Sequence, residues 1–259
     1  RALRSADIDS DRFTLTVRDL SEADAGSLAS AMQQLASHGL PNYFDDQRFG
    51  SLSKEGFIGK AILKRDAESV VRIYLSVPMV SDRREVRKFK RLVATHWGQW
   101  GYLLHQAPRP SNYRSVITYL KDHPHDYRKA ANLIKDRLLS AYLSAYQAWV
   151  WNRIVGEYLR QQLTVPHEVE IARHRFPIPV PGPELNALRE MTVELPRLTA
   201  RYEGDLESAA QAVFEAEELG IREFKVRILR RVYLIKEERE VVFAPEEVEV
   251  THPTEDDRH

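Results

Sequence analysis

The chain has 259 residues, with 38 basic and 38 acidic side chains, a formal net charge of zero and no cysteine. This length allows one large domain or two ordinary ones, and the balanced charge argues against a protein that binds nucleic acid through overall basicity. The missing cysteine excludes disulfides and thiolate chemistry, and no apolar run is long enough for a membrane span or a signal peptide. We therefore expect a cytoplasmic protein with no membrane partner.

The predicted elements begin with a strand and a helix. Apolar and β-branched residues alternate in RFTLTV, which predicts a strand over residues 12–17. Ser21 with Asp24 three residues later is typical of a helix N-terminus, and the sequence that follows predicts an amphipathic helix that ends at Gly39. The next stretch, NYFDDQRFG over residues 42–50, fits neither the helical nor the strand period, so it is predicted to be a loop.

The middle of the chain is predicted to be helical. Residues 56–77 predict one or two helices, and residues 81–100 predict a strongly basic helix with Ser81 or Asp82 as its cap. The longest helical pattern covers residues 126–163, and we expect it to break once near Leu139.

The last third of the chain changes to extended structure. Residues 168–185 contain prolines that suit a loop or a sheet edge, and residues 224–243 have β-branched residues at near-alternate positions, which predicts paired strands. This order predicts an α+β fold in which a helical insertion interrupts a sheet-containing domain. The expected division assigns residues 1–66 and 222–259 to the sheet domain and residues 67–221 to the insertion.

Two motifs resemble one known family. PNYFDDQRFG is similar to the N-Y-F-G-x-Q-R-F-G signature of the TruD family of tRNA pseudouridine synthases, with Asp45 where that family has glycine. SAYQAWVWN, residues 144–152, resembles the S-A-Y-Q-S-x-L-W-N run of the same family. The resemblance covers most of the first 155 residues and implies that the sheet domain is a mixed-sheet catalytic domain. The signature matches are Asn42, Tyr43, Phe44, Gln47, Arg48, Phe49 and Gly50.

Other motifs of the family are missing from the sequence. The family has its catalytic aspartate in a G-x-K-D-x-x-A-x-T motif ahead of the strand matched by residues 12–17, and nothing here fits that pattern. Lys121-Asp122 and Lys135-Asp136 lack the glycine before and the threonine after. We interpret the sequence as an incomplete view of a longer enzyme, with a naturally short, inactive relative as the alternative.

The resemblance implies an isomerase that converts a tRNA uridine, uridine 13 in the family, into pseudouridine with an aspartate nucleophile that lies outside this sequence. It implies no metal and no cofactor. The target base must leave its stack, and an aromatic ring can replace the lost neighbour. By resemblance Phe44 supplies that ring and Asn42 lies beside the nucleophile. This hypothesis requires an open cleft beside the Phe44 ring.

The other motif residues have more ordinary interpretations. Arg48 is a candidate for contact with an RNA phosphate, or for a salt bridge with Asp45 or Asp46. Gly50 is expected to adopt a backbone angle that other residues resist. An aromatic stripe on a helix is usually part of a core, while the amides of the second motif could face the cleft. Residues assigned to the cleft or to the scaffold are Tyr43, Gln47, Phe49, Gly50, Tyr146, Gln147 and Asn152.

The basic run over residues 83–91 is the strongest local excess of charge. Arg84, Arg87, Lys88 and Arg91 share one helical face, which predicts contact with an RNA backbone or, alternatively, a solvated surface. The scattered histidines have no convincing metal-ligand spacing. The expected partner is tRNA and the expected state is a monomer. The rival hypotheses are a relative that binds structured RNA without the nucleophile and a helical interaction protein.

Overall fold

The computed structural model describes residues 12–251. Within this range the fold is helix-rich, with short antiparallel strand pairs, and the predicted α+β class is confirmed. No helix in this range is both long and apolar enough to span a bilayer. The helices are α1 Glu22–His38, α2 Ile58–Leu63, α3 Ala67–Ser76, α4 Arg84–Thr95, α5 Trp100–Gln106, α6 Tyr113–Asp122, α7 Tyr127–Ala131, α8 Asp136–Gln162, α9 Pro183–Asn186 and α10 Asp205–Ala216, with 3-10 helices at Asp46–Phe49 and Ile221–Glu223. The strands are β1 Leu40–Pro41, β2 His167–Ile171, β3 His174–Ile178, β4 Thr192–Glu194, β5 Glu238–Glu240 and β6 Val242–Phe243.

Helix α8 is the central element of the fold. Its buried residues occur on every side of the helix, so α8 lies inside the core rather than on its surface. Helices α2 and α10 pack against it, as do strands β3 and β4 and the first 3-10 helix. The loop that carries the first motif is therefore positioned against the helix that carries the second.

Three antiparallel pairs make up the sheets of the described range. β2 and β3 form a hairpin, β4 pairs with β5, and β1 pairs with β6 in the register Leu40 with Phe243 and Pro41 with Val242. The β1–β6 pair brings the segment after α1 next to residues near the other end of the range. It thus joins the two segments that the sequence assigns to one domain; the division at residues 66 and 221 stays a prediction.

The predicted boundaries of α1 are confirmed. Ser21 is the N-cap, and its hydroxyl oxygen accepts a hydrogen bond from the Asp24 amide at 3.2 Å. Gly39 ends the helix with a φ of +75°, where a side chain would be strained. An added Cβ at Gly39 would also lie 2.6 Å from Cγ1 of Val242, so the close approach of β6 excludes a larger residue. The amphipathic pattern is present in a weak form, and no residue of α1 is fully buried. Its half-buried stripe consists of Ala25, Leu28, Ala29, Met32, Leu35 and Ala36.

The strand predicted over residues 12–17 is wrong for the described range. These residues form no strand ladder, and Phe13, Leu15 and Val17 are exposed to 80%, 83% and 56%. A strand needs hydrogen bonds to a neighbour, which alternation in one segment cannot supply. Within residues 12–251 no strand pairs with this segment, and only the exposed Arg12 side chain reaches a distant residue, Glu247, at 3.5 Å.

The predicted cap of the basic helix is also wrong. Helix α4 begins after Arg83, which makes no side-chain cap bond. Asp82 instead accepts a hydrogen bond from the Met79 amide at 2.7 Å and forms a salt bridge with Lys90 at 2.8 Å. The Ser81 hydroxyl donates to the Gly50 carbonyl at 3.3 Å. Both side chains therefore fix the loop ahead of α4 rather than the helix end.

Two boundaries in the second half differ from expectation. The long helical pattern breaks at residues 132–135, and Leu139 lies buried inside the continuous helix α8. Of residues 224–243, only β5 and β6 are strands, and most of the remainder follows an irregular path. That path stays close to α8, and the Gln147 side chain of α8 bonds both backbone groups of Ile235 within it.

Replacing Gly59 tests the contact between α2 and α8. A Cβ at this position would lie 2.5 Å from the Tyr142 carbonyl oxygen and 2.6 Å from Cβ of Tyr146. We expect Gly59→Ala to lower stability by about 1–3 kcal/mol through overpacking. In α1, a Cβ added at Gly26 would have no neighbouring atom within 4 Å, so Gly26→Ala should raise stability by about 0.5–1 kcal/mol. Thermal unfolding measures both; an unfolding temperature of Gly59→Ala at or above that of the parent protein would contradict the packing argument.

Candidate functional site

The loop over residues 42–50 begins as an extension of the β1–β6 pair. The Asn42 amide donates to the Val241 carbonyl at 2.9 Å. Asp45, with a φ of −92° and an extended backbone, then caps the first 3-10 helix by accepting a hydrogen bond from the Gln47 amide at 3.0 Å. Aspartate therefore suits this position, and no glycine is needed. The expectation for Gly50 is wrong, since its φ of −57° is an ordinary helical value.

The Phe44 backbone is held by a buried side chain of α8. The Phe44 amide donates to Oδ1 of Asn152 at 2.9 Å, and Nδ2 of Asn152 donates back to the Phe44 carbonyl at 2.8 Å. The amide side chain of Asn152 thus takes the place of a neighbouring strand. Asn152 is fully buried, so it supports the loop and does not face an open cleft. The two sequence motifs meet at this pair of hydrogen bonds.

The Asn42 side chain is oriented by Arg239 from β5. The Arg239 guanidinium donates from Nη2 to Oδ1 of Asn42 at 2.6 Å and from Nε to the Asn42 carbonyl at 2.8 Å. Nδ2 of Asn42 donates to the Glu240 carbonyl at 3.1 Å, which fixes the other end of the amide. Sequence reasoning missed Arg239, because it belongs to no recognisable motif and reaches the loop only through strand pairing.

The Phe44 ring is covered by neighbouring side chains. The residue is 7% exposed, and the Trp151 ring meets it edge-on with centroids 5.6 Å apart. The guanidinium carbon of Arg239 lies 4.2 Å from the Phe44 ring centroid and that of Arg48 lies 5.1 Å from it. Guanidinium groups are attracted to aromatic faces and shield them from water. The ring therefore differs from the open platform that the sequence hypothesis requires.

Two surface depressions lie away from this ring. One depression of about 410 Å³ is lined by residues of β4 and by Arg201 and Glu238, and another of about 450 Å³ is lined by residues of the β2–β3 hairpin. Neither includes a residue of the 42–50 loop. Access to Phe44 would require movement of the arginine side chains.

The two guanidinium groups over Phe44 form no salt bridge within the described residues. Arg48 is exposed, and no carboxylate of residues 12–251 forms a salt bridge with its side chain. The two acids suggested as partners are occupied by the backbone: Asp45 caps the 3-10 helix and Asp46 accepts a hydrogen bond from the Ala172 amide at 2.7 Å. Burial is the main cause that lowers the pKa of Arg239; the nearby charge of Arg48 acts in the same direction, while the charges of Glu237 and Glu240 act to raise it.

The aromatic neighbours of Phe44 in the loop contribute to packing. The Tyr43 hydroxyl donates to the Pro177 carbonyl at 3.1 Å, and burial raises the pKa of this phenol. Phe49 is 3% exposed and meets the Trp149 ring edge-on at 6.0 Å. These contacts attach the loop to β3 and α8. Gln47, by contrast, is exposed.

The other polar residue of the second motif is also buried. Gln147 is 1% exposed, donates to the carbonyls of Pro196 and Ile235 at 3.0 and 2.8 Å, and accepts from the Ile235 amide at 3.1 Å. Its amide is fully used in holding two irregular segments against α8. Gln147 therefore serves the scaffold.

The aromatic stripe of α8 leads to a buried carboxylate, Glu217. This carboxylate accepts hydrogen bonds from the Tyr146 hydroxyl at 2.9 Å and the Trp149 indole at 3.3 Å, and it pairs with Lys60 at 2.9 Å and with Arg153. Burial acts to raise the Glu217 pKa, but the charges and hydrogen bonds of these partners outweigh it and leave the pKa lowered. A carboxylate so fully occupied connects α2, α8 and the end of α10 and has a structural role.

The predicted RNA-binding residues of α4 lie together on the surface. Arg84, Arg87, Lys88 and Arg91 are exposed, and we call this set the α4 basic face. Lys90 belongs to the same run in sequence but is 1% exposed and paired with Asp82, and burial lowers its pKa. The hydrogen bond between Ser81 and Gly50 places the start of α4 beside the end of the 42–50 loop.

No group of three histidine, aspartate or glutamate residues in the described part of the chain is arranged to hold a metal ion. The donors around Asn42 and Phe44 are amides and guanidinium groups, which suit anionic or polar organic ligands better than a cation.

Replacing Asn152 tests how the two motifs are joined. Asn152→Ala would leave the buried amide and carbonyl of Phe44 without partners, so we expect a loss of about 2–4 kcal/mol in stability. Hydrogen exchange of the Phe44 amide should accelerate at the same time. Gln161→Ala on the exposed end of α8 is the matched control and should change neither quantity. Unchanged exchange at Phe44 in Asn152→Ala would contradict the assigned pairing.

Comparison with known proteins gives one family. The family model described as tRNA pseudouridine synthase D (TruD) matches residues 1–173. A probable tRNA pseudouridine synthase D 2 of Methanocaldococcus jannaschii is 28% identical over 259 residues, covering 97% of this chain and 61% of the relative. A probable tRNA pseudouridine synthase D 1 of Methanococcus maripaludis is 34% identical over 164 residues, or 62% of this chain and 41% of the relative.

A solved structure shares the fold. The crystal structure of the putative tRNA pseudouridine synthase D (TruD) from Methanosarcina mazei superposes with a TM-score of 0.65 at 19% identity, over 88% of this chain and 58% of that chain. This chain thus spans about three fifths or less of the length of these relatives. The family match over two thirds of its residues agrees with both motifs, and the chain belongs to the TruD family.

Proposed function

We propose that the protein is a tRNA pseudouridine synthase that isomerises a tRNA uridine, uridine 13, to pseudouridine with an aspartate nucleophile outside this sequence. Membership of the TruD family supports the reaction class. The observation that carries the proposal is the clustering of Asn42, Phe44 and two guanidinium groups at the point where the two family motifs meet. The proposal includes a cytoplasmic monomer without metal or cofactor.

In this proposal the two motif residues have separate roles. Asn42 presents an uncharged amide whose orientation is set by Arg239 and by the Glu240 carbonyl, so it can position a nucleophile or a base without changing charge. Phe44 replaces the lost stacking neighbour of the extruded uracil.

The covered ring is compatible with this role on energetic grounds. An arginine on an aromatic face is worth about 0.5–1 kcal/mol when exposed and about 2 kcal/mol when desolvated. A base stacked on an aromatic side chain is worth about 1–3 kcal/mol. Replacing a guanidinium group on the ring by a base therefore changes the free energy little. Contacts made elsewhere on the tRNA can favour the base.

The α4 basic face is the proposed site for the RNA backbone. Four exposed cations on one face of α4 can neutralise several phosphates, and the start of α4 lies beside the end of the 42–50 loop. An RNA strand that reaches Phe44 could thus continue along the α4 basic face.

A second function is favoured by one observation. Because the Phe44 ring is 7% exposed, a relative that binds structured RNA without chemistry needs no rearrangement at this residue. Pseudouridine mapping distinguishes the two proposals, since only the synthase changes the base.

The central test uses full-length protein and mapping of pseudouridine on tRNA. Phe44→Leu keeps an apolar side chain in the packing against Trp151 but removes the ring, and we expect turnover to fall at least about tenfold. Phe44→Ala should lose as much turnover and also stability. Phe214→Leu, a half-buried ring that packs against Phe224, is the matched control and should retain turnover. Parental turnover in Phe44→Leu would remove Phe44 from the active site.

A second test concerns the α4 basic face. Arg84→Glu/Arg91→Glu should weaken tRNA binding about tenfold or more and make the dependence of log Kd on log salt shallower. Arg87 is left in place because its guanidinium also donates to the Val80 carbonyl at 2.6 Å. Lys121→Glu/Arg137→Glu reverses the same number of exposed charges elsewhere and serves as the control. Equal salt dependence in the two double variants at low salt would rule out the α4 basic face as the RNA site.

A further inference from the structure

Two arginines from distant parts of the chain converge on one ring. The guanidinium carbons of Arg239, in β5, and Arg48, in the first 3-10 helix, lie 4.2 and 5.1 Å from the Phe44 ring centroid. We propose that these two side chains form a binding site for a single backbone phosphate of RNA, next to the nucleotide whose base is directed to Phe44. The inference rests on the proposed function and adds to it Arg239 and a defined contact.

The pair has no salt-bridge partner in the described part of the chain, although the charges of Glu237 and Glu240 act on Arg239 from a longer distance. Within residues 12–251, no carboxylate lies within 4.0 Å of either guanidinium group. The nearest acids in sequence to Arg48, Asp45 and Asp46, accept hydrogen bonds from backbone amides instead. Two cations held close to a buried ring repel each other, and an anion placed between them is attracted by both.

The available hydrogen-bond donors match a phosphate. Arg239 uses Nε and Nη2 to hold Asn42, which fixes the plane of its guanidinium and leaves Nη1 for a ligand. The Arg48 side chain donates no hydrogen bond to any described residue, so its whole fork is available. Guanidinium groups bind phosphate oxygens through paired N–H donors, and a group whose orientation is already fixed loses less freedom on binding.

A structural role alone does not account for both arginines. The hydrogen bonds to Asn42 give Arg239 a reason to be in this place. Arg48 is exposed and has no such bonds to the described residues, yet its guanidinium also lies over the Phe44 ring. It is close enough to Arg239 for its charge to act to lower the Arg239 pKa. A phosphate that draws the exposed Arg48 side chain outwards, while Arg239 stays bonded to Asn42, would uncover part of the ring and so couple backbone binding to base access.

The test combines protein variants with neutralised RNA phosphates. Full-length protein is titrated with tRNA in which a single methylphosphonate replaces each phosphate in turn, so that one negative charge is removed at a known place. The proteins are the parent, Arg48→Gln, Arg239→Lys, Arg48→Gln/Arg239→Gln and the control Arg137→Gln, which removes an exposed arginine without described partners. Unfolding temperatures accompany each titration, and Arg48→Gln, at an exposed residue, is the variant expected to keep its fold.

The expected result is coupling between one phosphate and the pair. We expect Arg48→Gln to weaken tRNA binding by about fivefold to tenfold and the slope of log Kd against log salt to fall by about one, while Arg137→Gln binds as the parent does. At one position the methylphosphonate should weaken binding to the parent and the control by a similar factor but have little effect on the double variant. Arg239→Lys should lose part of the coupling, because an ammonium group retains the charge but not the fork.

Other results would overturn the inference. Equal methylphosphonate penalties at every position in the parent and in Arg48→Gln would exclude the pair as a phosphate site, as would the absence of tRNA binding by the parent. If the coupling is found and the parent makes no pseudouridine, the proposed reaction is wrong and the phosphate site stands. If the parent makes pseudouridine and no coupling is found, the reaction stands and the phosphate site is wrong.

Discussion

The 42–50 loop and the irregular segment around Ile235 both depend on buried side-chain amides of α8 that pair with backbone groups lacking a strand partner. Asn152 holds both backbone groups of Phe44, and Gln147 holds both backbone groups of Ile235. The Trp151 indole donates to a carbonyl of β4 in the same way. Strands of two to five residues leave many main-chain groups unpaired, and buried groups of this kind are costly unless another partner is found. One helix therefore replaces part of the strand pairing that these short sheets do not supply.

The placement of α8 is fixed from its other side by Glu217. This buried carboxylate is held by two cations and two neutral donors, and it connects α2, α8 and the end of α10. Loss of one partner in such a cluster lowers folding stability far more than loss of an exposed ion pair. Since the Phe44 backbone is bonded to Asn152 of α8, the position of Phe44 depends on the helix that this cluster holds in place. Sites built on a rigid helix keep their geometry better than sites supported only by loops.

Much of the fold could be predicted because its signals are local. The Ser21 cap, the Gly39 stop and the long α8 pattern each depend on residues close in sequence. The burial of Lys90 was predictable in principle. Lys90 lies at helical spacing with Val86, Phe89 and Val93 on the face of α4 that packs inward, although a count of charges alone groups it with Lys88. The segment over residues 12–17 was not predictable in this way, because alternation specifies which side chains share a face and not whether a neighbouring strand exists.

The residues of the candidate site also divide into those marked by a local sequence signal and those placed by long-range pairing. The motif pattern identifies Asn42, Phe44 and Arg48, but Arg239 enters through the pairing of strands that are nearly 200 residues apart in sequence, and no local signal marks it. Part of the burial of Phe44 follows from that missed residue, because Arg239 covers the ring together with Arg48 and Trp151. The contact of the exposed Arg48 guanidinium with the Phe44 ring is no stronger than the contact a stacked base would make in its place. The function of such a ring depends on the difference in free energy between the ring covered by arginine and the ring covered by a base. The charge of an RNA backbone changes this difference directly, because it attracts the guanidinium groups and not the ring.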